Sequence, residues 1–358
     1  MKVAVYTIAL NEAQFIKRWY ESAKEADYLL IADTGSTDNT YEIAEDLGIE
    51  VVGIKVIPWR FDIARNTALS MLPEDVDYCI ALDMDEILLP GWKEELENAK
   101  EQGWTRPRYQ YTWSWHDQEE TIPGLQYGGD KIHTRSGYRW KHPVHEVLVS
   151  DRLEETQGWV GLEIHHHPDH SKSRSQYMPL LELSVKEDPW DDRNAYYYAR
   201  ELFFHQRYLE AFKEFKRYLA LPTAVWKPER SAAMRYMSKC VVKEEREKWL
   251  KLAVKEDPKR REPLVELALF YFNHYNWKDS LRYAKQATKI QDKPLDYLCE
   301  DFAWGSIPYD LVAICSYHLE YFDQAILFGE KALKLDPKDE RLVANMQMYK
   351  DALLENKE

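Results

Sequence analysis

In "YCIALDMDEILLP", Tyr78 to Pro90, an apolar run ends in Asp83, Asp85 and Glu86 before a second apolar patch. Three carboxylates this close repel one another, and taking them out of water is costly unless a cation or a ring of donors compensates. A positive partner is therefore expected here. Oxygen ligands of this kind suit Mg²⁺ or Mn²⁺. The plainer reading is that the carboxylates cap a helix beginning near Pro90. A cap needs one carboxylate at its helix start and not a cluster directly after a strand, although Glu86 by itself fits a solvated position.

Other segments carry reactive side chains in order. "ADTGSTDNT" places Asp33 at a strand end, with Gly35 permitting a tight turn and Ser36 or Thr37 able to cap exposed amides. In "FDIARNTAL", Asp62, Arg65 and Asn66 share one face of a helix, where a surface ion pair is the alternative to a ligand contact. "GLEIHHHPDH" ends a strand with three histidines. Strand side chains alternate, so His166 opposes His165 and His167, and all three cannot reach one metal.

The elements that must position these residues alternate. "KVAVYTI" reads as a buried strand, "NEAQFIKRWYESAKEA" as an amphipathic helix, "DYLLIAD" as a strand, "STDNTYEIAEDLG" as a capped helix closed by Gly48, and "IEVVGIKV" as a strand. This order predicts a mostly parallel sheet that takes ligands outside the carboxyl ends of its strands. Thr7 to Glu12, Asp33 to Asp38 and Asp83 to Glu86 lie at those ends.

From about Tyr177 the pattern is helical. Ala211 and Tyr218 lie 12 and 19 residues after Ala199; the offsets recur at Ala268, Ser280 and Ala287, again at Ala313, Ala325 and Ala332, and more weakly at Met234, Arg246 and Ala253. Pro258 and Pro337 follow where helices must stop. Met234 and Ala268 are 34 residues apart, the tetratricopeptide period. The segment resembles tetratricopeptide repeats (TPR) in four copies, with an insertion around "DKPLDYLCEDFAWGSIPYD" before the last. The division expected is 1–175 for the α/β domain and 176–358 for an all-α TPR solenoid.

With 62 acidic against 48 basic side chains and a formal charge of -14, a nucleic-acid partner is disfavoured. Cys79, Cys240, Cys299 and Cys315 show no CxxC spacing, which argues against a zinc knuckle or a disulfide framework and fits a reducing cytoplasm. No stretch reaches membrane-spanning length, and the N-terminal apolar run is too short for a signal peptide.

"TIALNEAQFI", "ADTGSTDNT", "PWRFDIARNTAL", "LDMDE", "HPVHEVL" and "IHHHPD" occur in that order over residues 1 to 170, which resembles the family 2 glycosyltransferases of the Rossmann-like GT-A fold. The resemblance implies a nucleotide-sugar donor, UDP-linked, and a metal-binding DxD motif. It maps Asp83 onto the donor and Asp85 onto the metal. It places Asp33 on the nucleoside, Thr7, Asn11 and Glu12 at the border of the same pocket, Asp62 near the base and Arg65 near the phosphates. Leu10 stands where relatives often carry a basic residue, which puts a diphosphate contact there in doubt.

A late-strand histidine is implied as a further metal ligand, His166 by register, with His165 and His167 open. Imidazole tilts the metal towards Mn²⁺ over Mg²⁺. Inverting transfer needs a base beside the incoming nucleophile; Glu146 is the candidate, with His145 and Asp117 as alternatives. Lys172 and Arg174 could close over the diphosphate. The acceptor is expected to be a saccharide or a protein or peptide, and the repeats to present it or to build a homo-oligomer. A nucleotidyltransferase is a weaker reading, because no glycine-rich basic loop follows the first strand. A noncatalytic TPR scaffold is the other alternative, opposed by the intact Asp33, Asp83 and Asp85.

Overall fold

The computed structural model describes residues 1–151, 154–169 and 177–356. It divides into two units, Met1–Glu187 and Asp188–Glu358. In the first unit, β1 (Val3–Ala9), α1 (Ile16–Ala23), β2 (Tyr28–Asp33), α2 (Thr40–Asp46), β3 (Glu50–Gly53), α3 (Phe61–Met71) and β4 (Tyr78–Ala81) form the alternating series. After them come β5 (Glu86–Leu88), α4 (Trp92–Glu101), β6 (Arg106–Thr112), β7 (Gln126–Gly129) and β8 (Ile132–Thr134). The unit closes with β9 (Tyr138–Lys141), β10 (Val147–Ser150), β11 (Gln157–His166) and α5 (Tyr177–Glu187).

The main sheet has the order β3-β2-β1-β4-β8, with β1, β2, β3 and β4 parallel and β8 antiparallel at the edge. β1 and β4 are almost wholly buried, as a strand covered on both faces requires, which explains their unbroken apolar sequences. The chain runs from β1 outward to β3 and then returns to the other side of β1 as β4. That reversal leaves a crevice beyond the carboxyl ends of β1 and β4. A second sheet, β5-β11-β6-β7, continues from the same corner, with His166 in register with Glu86 across the β11–β5 pair.

Two features fix that corner. The buried Trp19 indole of α1 donates to the Leu82 carbonyl at 3.0 Å, tethering the residue before Asp83. The Asp83 amide donates to Glu86 Oε2 at 2.8 Å and the Glu86 amide to the Asp83 carbonyl at 2.9 Å, closing a tight turn. Helix α1 begins at Ile16 and not at Asn11, because Asn11 sits at φ 56, where a right-handed helix cannot run.

The expected division at 175/176 also differs from the one seen. Helix α5 belongs to the first unit, held by Arg60 Nη1 to Glu187 Oε1 at 2.6 Å and by Tyr177 edge-on to Phe61 and His145.

The second unit is all helical: α6 (Asp192–Phe204), α7 (Tyr208–Ala220), α8 (Lys227–Cys240), α9 (Lys243–Glu256), α10 (Arg261–Phe272), α11 (Trp277–Lys289), the short α12 (Asp301–Trp304), α13 (Ile307–His318), α14 (Phe322–Leu335) and α15 (Glu340–Glu355). The small residues that set the repeat are buried at the helix contacts: Ala199, Ala211, Ala253, Ala268, Ser280, Ala287, Ala313, Ala325 and Ala332 are each 0% exposed. Arg246, in the weakest copy, is exposed. Three copies close their helix pair with a left-handed residue in the same register, Gln206, Tyr275 and Glu320. This is the stacked helix-pair architecture of a TPR solenoid.

The insertion between α11 and α13 reaches the first helix of each of three pairs. Tyr297 stacks on Tyr197 of α6 and donates to Glu229 of α8 at 2.5 Å. Glu300 pairs with the buried Arg235 of α8 at 2.7 Å, and Trp304 donates to Glu262 of α10 at 2.8 Å. Arg260, at the start of α10, donates to Asp296 at 2.5 Å. No helix among the described residues is long and apolar enough to cross a membrane. None of the four cysteines forms a disulfide.

Candidate active site

The positive partner expected beside the carboxylates comes from two side chains. Arg65 Nη2 donates to Asp83 Oδ1 and Lys131 Nζ to Asp83 Oδ2, both at 2.6 Å. Burial opposes ionisation of Asp83, but the Arg65 and Lys131 charges outweigh it and hold the carboxyl well below its usual range. Glu86 is not a solvated residue. It is 1% exposed and takes Lys131 Nζ at 2.8 Å and the Tyr111 hydroxyl at 2.6 Å. Burial likewise opposes the Lys131 charge, and Asp83 and Glu86 together raise its pKa well above the ordinary lysine value.

Arg65 is 7% exposed and also pairs through Nε with Glu146, while its face lies over the Trp140 ring at 5.0 Å. Its Nη1 is buried with no hydrogen-bond partner. The loop carrying Glu146 is fastened to α3. The Phe61 amide donates to the Pro143 carbonyl at 3.0 Å, and the Asn66 amide group exchanges two 2.8 Å bonds with the Trp140 backbone. Asn66 thus serves the scaffold. His142 and His145 take left-handed backbone angles that turn the loop back, and His145 meets Tyr177 edge-on.

Asp85 lies on the other side of the turn. Its Oδ2 is 3.3 Å from His166 Nε2, and His166 Nδ1 is 2.9 Å from the Trp113 carbonyl. With the proton on Nδ1 donated to that carbonyl, the Nε2 lone pair faces Asp85. The Trp113 indole stacks on the same imidazole at 4.4 Å. Burial works against a charged His166, yet the Asp85 hydrogen bond and charge raise its pKa. A proton and a metal ion are alternative ways to satisfy this pair.

Among the described residues no group of three or more His, Cys, Asp or Glu is arranged to hold a metal ion. Asp85 and His166 nonetheless present one oxygen and one nitrogen donor of the kinds that a divalent cation takes. Both oxygens of Asp83 already receive cationic donors. The alternation expected of the histidines is present: His165 faces Glu163 at 3.7 Å, and His167 pairs with Glu120.

At the end of β2, Asp33 Oδ1 accepts the Gly35 and Ser36 amides at 2.9 Å each, while its buried Oδ2 has no hydrogen-bond partner. Gly35 stands at φ 113, which allows that turn. Asn11 ties its own loop to the loop after β2. Its Oδ1 accepts the Thr37 amide at 2.8 Å, and its own amide donates to Ser36 Oγ at 2.8 Å. The Glu12 amide donates to Thr40 Oγ1 at 2.8 Å, and buried Thr7 turns its hydroxyl to the Ile8 carbonyl at 3.2 Å. The expected capping by Ser36 or Thr37 is replaced by Asp38 Oδ1, which accepts the Thr40 amide at 3.0 Å.

Two expected residues stand apart. Asp62 is held by Arg60 through a two-pronged pair at 3.0 and 2.9 Å, so it and Arg65 do not pair with each other. Asp117 closes its own loop, accepting the Thr121 amide at 3.0 Å and the Ile122 amide at 2.6 Å, which leaves it a poor base. Lys172 and Arg174 lie outside the described residues. Lys131 was not foreseen; its signal is a lysine in "GGDKIH" directly before a buried edge strand.

Residues 4–129 match the model of glycosyl transferase family 2. An uncharacterized glycosyltransferase of Rickettsia bellii is 34% identical over 97 residues, covering 27% of this chain and 32% of the relative. A counterpart from Rickettsia felis is 33% identical over 97 residues, covering 27% of this chain and 33% of the relative. A TPR repeat-containing protein of Synechococcus elongatus is 30% identical over 162 residues, covering 42% of this chain and 36% of the relative. The chain thus spans about a third of the length of the curated relatives it matches. A solved thermophilic TPR protein of Thermus thermophilus is a distant structural likeness, 21% identical with a TM-score of 0.32, covering 50% of this chain and 90% of that one.

Proposed function

We propose that this chain, whose first unit carries a family 2 glycosyltransferase domain, moves a sugar from a nucleotide sugar, UDP-linked, to an acceptor with inversion. The observation that carries this reading is the Asp85–His166 pair, two residues along the chain from Asp83, which Arg65 links in turn to the carboxylate of Glu146. In this reading Asp33 Oδ2 accepts a hydrogen bond from the nucleoside. Thr7, Asn11 and Glu12 shape that end of the pocket.

Asp85 and His166 would hold a divalent cation, Mn²⁺ or Mg²⁺, which when bound stabilises the charge gathering on the departing diphosphate. Glu146 removes the proton from the acceptor as the new bond forms. The Arg65 guanidinium aims that carboxylate. Asp62 supports the base side of the pocket indirectly, by fixing Arg60. The acceptor is a saccharide or a protein or peptide, which the repeat unit presents unless it serves self-association. A cytoplasmic setting agrees with four cysteines outside disulfides.

The test is UDP release from UDP-sugars with and without Mn²⁺. Asp85→Ala is expected to lower metal-dependent turnover by on the order of 10³-fold, the several kcal/mol such a cation supplies, with an unchanged circular dichroism spectrum. Unaltered turnover would reject the role given to Asp85. Absence of both turnover and nucleotide binding in the wild type would instead leave the noncatalytic scaffold.

A further inference from the structure

We propose that Lys131 is a positioning residue for the transfer, acting through Asp83 and Arg65 on Glu146. The inference rests on the reading of Glu146 as the base. Lys131, Asp83, Arg65 and Glu146 form one ionic chain of alternating sign, and the four residues come from four separate segments. The chain is anchored at the Lys131 end by Glu86, which is 1% exposed and tied to the Asp83 amide and the Tyr111 hydroxyl. At its other end Arg65 Nε pairs with the Glu146 carboxylate.

The geometry makes the far end depend on the near one. Each Asp83 oxygen takes one cationic donor, Arg65 on Oδ1 and Lys131 on Oδ2. Without Lys131, Oδ2 loses its partner beside a guanidinium that has a buried Nη1 with none. The lowest-energy repair is for Arg65 to rotate and grip Asp83 with both Nη groups, because planar guanidinium and carboxylate favour the two-pronged pair. That rotation draws Nε away from Glu146. In this scheme Asp83 is a lever between donor side and acceptor side, and Lys131 its fixed end. Lys131 touches neither reacting atom.

The test compares Lys131→Met and Lys131→Arg with the wild type in the full chain. Lys131→Met is expected to lower kcat by about 100-fold, the scale of a misplacement near 1 Å, while leaving the donor KM and the calorimetric affinity for UDP with Mn²⁺ unchanged. Lys131→Arg is expected to restore most of kcat. Glu146 carries a second readout that needs no turnover. Its coupling to a neutral amine by carbodiimide, followed by mass spectrometry, should accelerate in Lys131→Met as Arg65 withdraws.

Should Lys131→Met fold poorly, the charge-balanced pair Lys131→Met with Glu86→Gln is read in the same way. Equal loss of UDP affinity and kcat, or unchanged labelling of Glu146, would overturn the proposal. A wild type that transfers no sugar would overturn the enzymatic reading, and labelling would still decide whether Lys131 governs Glu146.

Discussion

Replacing Arg65 with methionine tests the electrostatic account of the site at its most buried cation. The substitution keeps an apolar stem over Trp140 but removes the donors to Asp83 and Glu146, whose side chains are 28% and 11% exposed. Breaking a buried ion pair by removing one partner costs about 3–5 kcal/mol. Asp83 keeps Lys131 at 2.6 Å, so the lower end applies, and the lost cation–π contact adds about 0.5–1 kcal/mol. A loss of about 4 kcal/mol lowers the melting point of a domain this size by roughly 8–16 °C. Calorimetry would read the shift in the transition of the first unit.

The pH dependence supplies an independent sign. Asp83 is depressed in the folded state, so its contribution is complete above the unfolded carboxyl value near ~4 and disappears as pH falls from there towards the folded value. The gap between wild type and Arg65→Met should therefore narrow below about pH 4. A variant melting within about 2 °C of wild type at neutral pH, or a gap indifferent to acid, would refute the reasoning.

Two further outcomes follow from single residues. Glu146→Gln keeps shape without basicity, and calorimetry should show wild-type affinity for UDP with Mn²⁺ alongside lost transfer; an equal loss of affinity would count against the base. His133, 0% exposed, has its pKa lowered to about 4 by burial. The unfolded chain takes up this proton near ~6.5 and the folded chain does not, so stability is constant above that value and drops by about 3 kcal/mol as pH falls to about 4. Urea unfolding of the wild type and His133→Gln at pH values on either side of 6 checks this, and identical pH slopes would exclude it.

The parts legible in the sequence are those whose signal is local. Unbroken apolar runs announced β1, β2 and β4, and small residues at fixed offsets announced the helix contacts from Ala199 to Ala332. The alternation of three histidines likewise follows from strand geometry alone. The partners did not follow, because they are set by tertiary contact: Arg65 reaches Asp83 across 18 residues and Glu146 across 81. Lys131 satisfies a carboxylate 48 residues away, a pairing that its place directly before β8 does not specify. Helix α1 starts later than its sequence pattern suggests because Asn11, whose type suits a cap, is bound to the Ser36–Asp38 loop in a left-handed conformation.

The insertion at Asp296–Trp304 changes how the second unit should come apart. An array whose modules touch only their neighbours melts from its ends, one module after another. Here a single strap bonded to α8 and α10 and stacked on α6 makes opening any of those three helices forfeit contacts shared with the others. That part of the array should open in one concerted step, with amides of all three helices exchanging at a common rate.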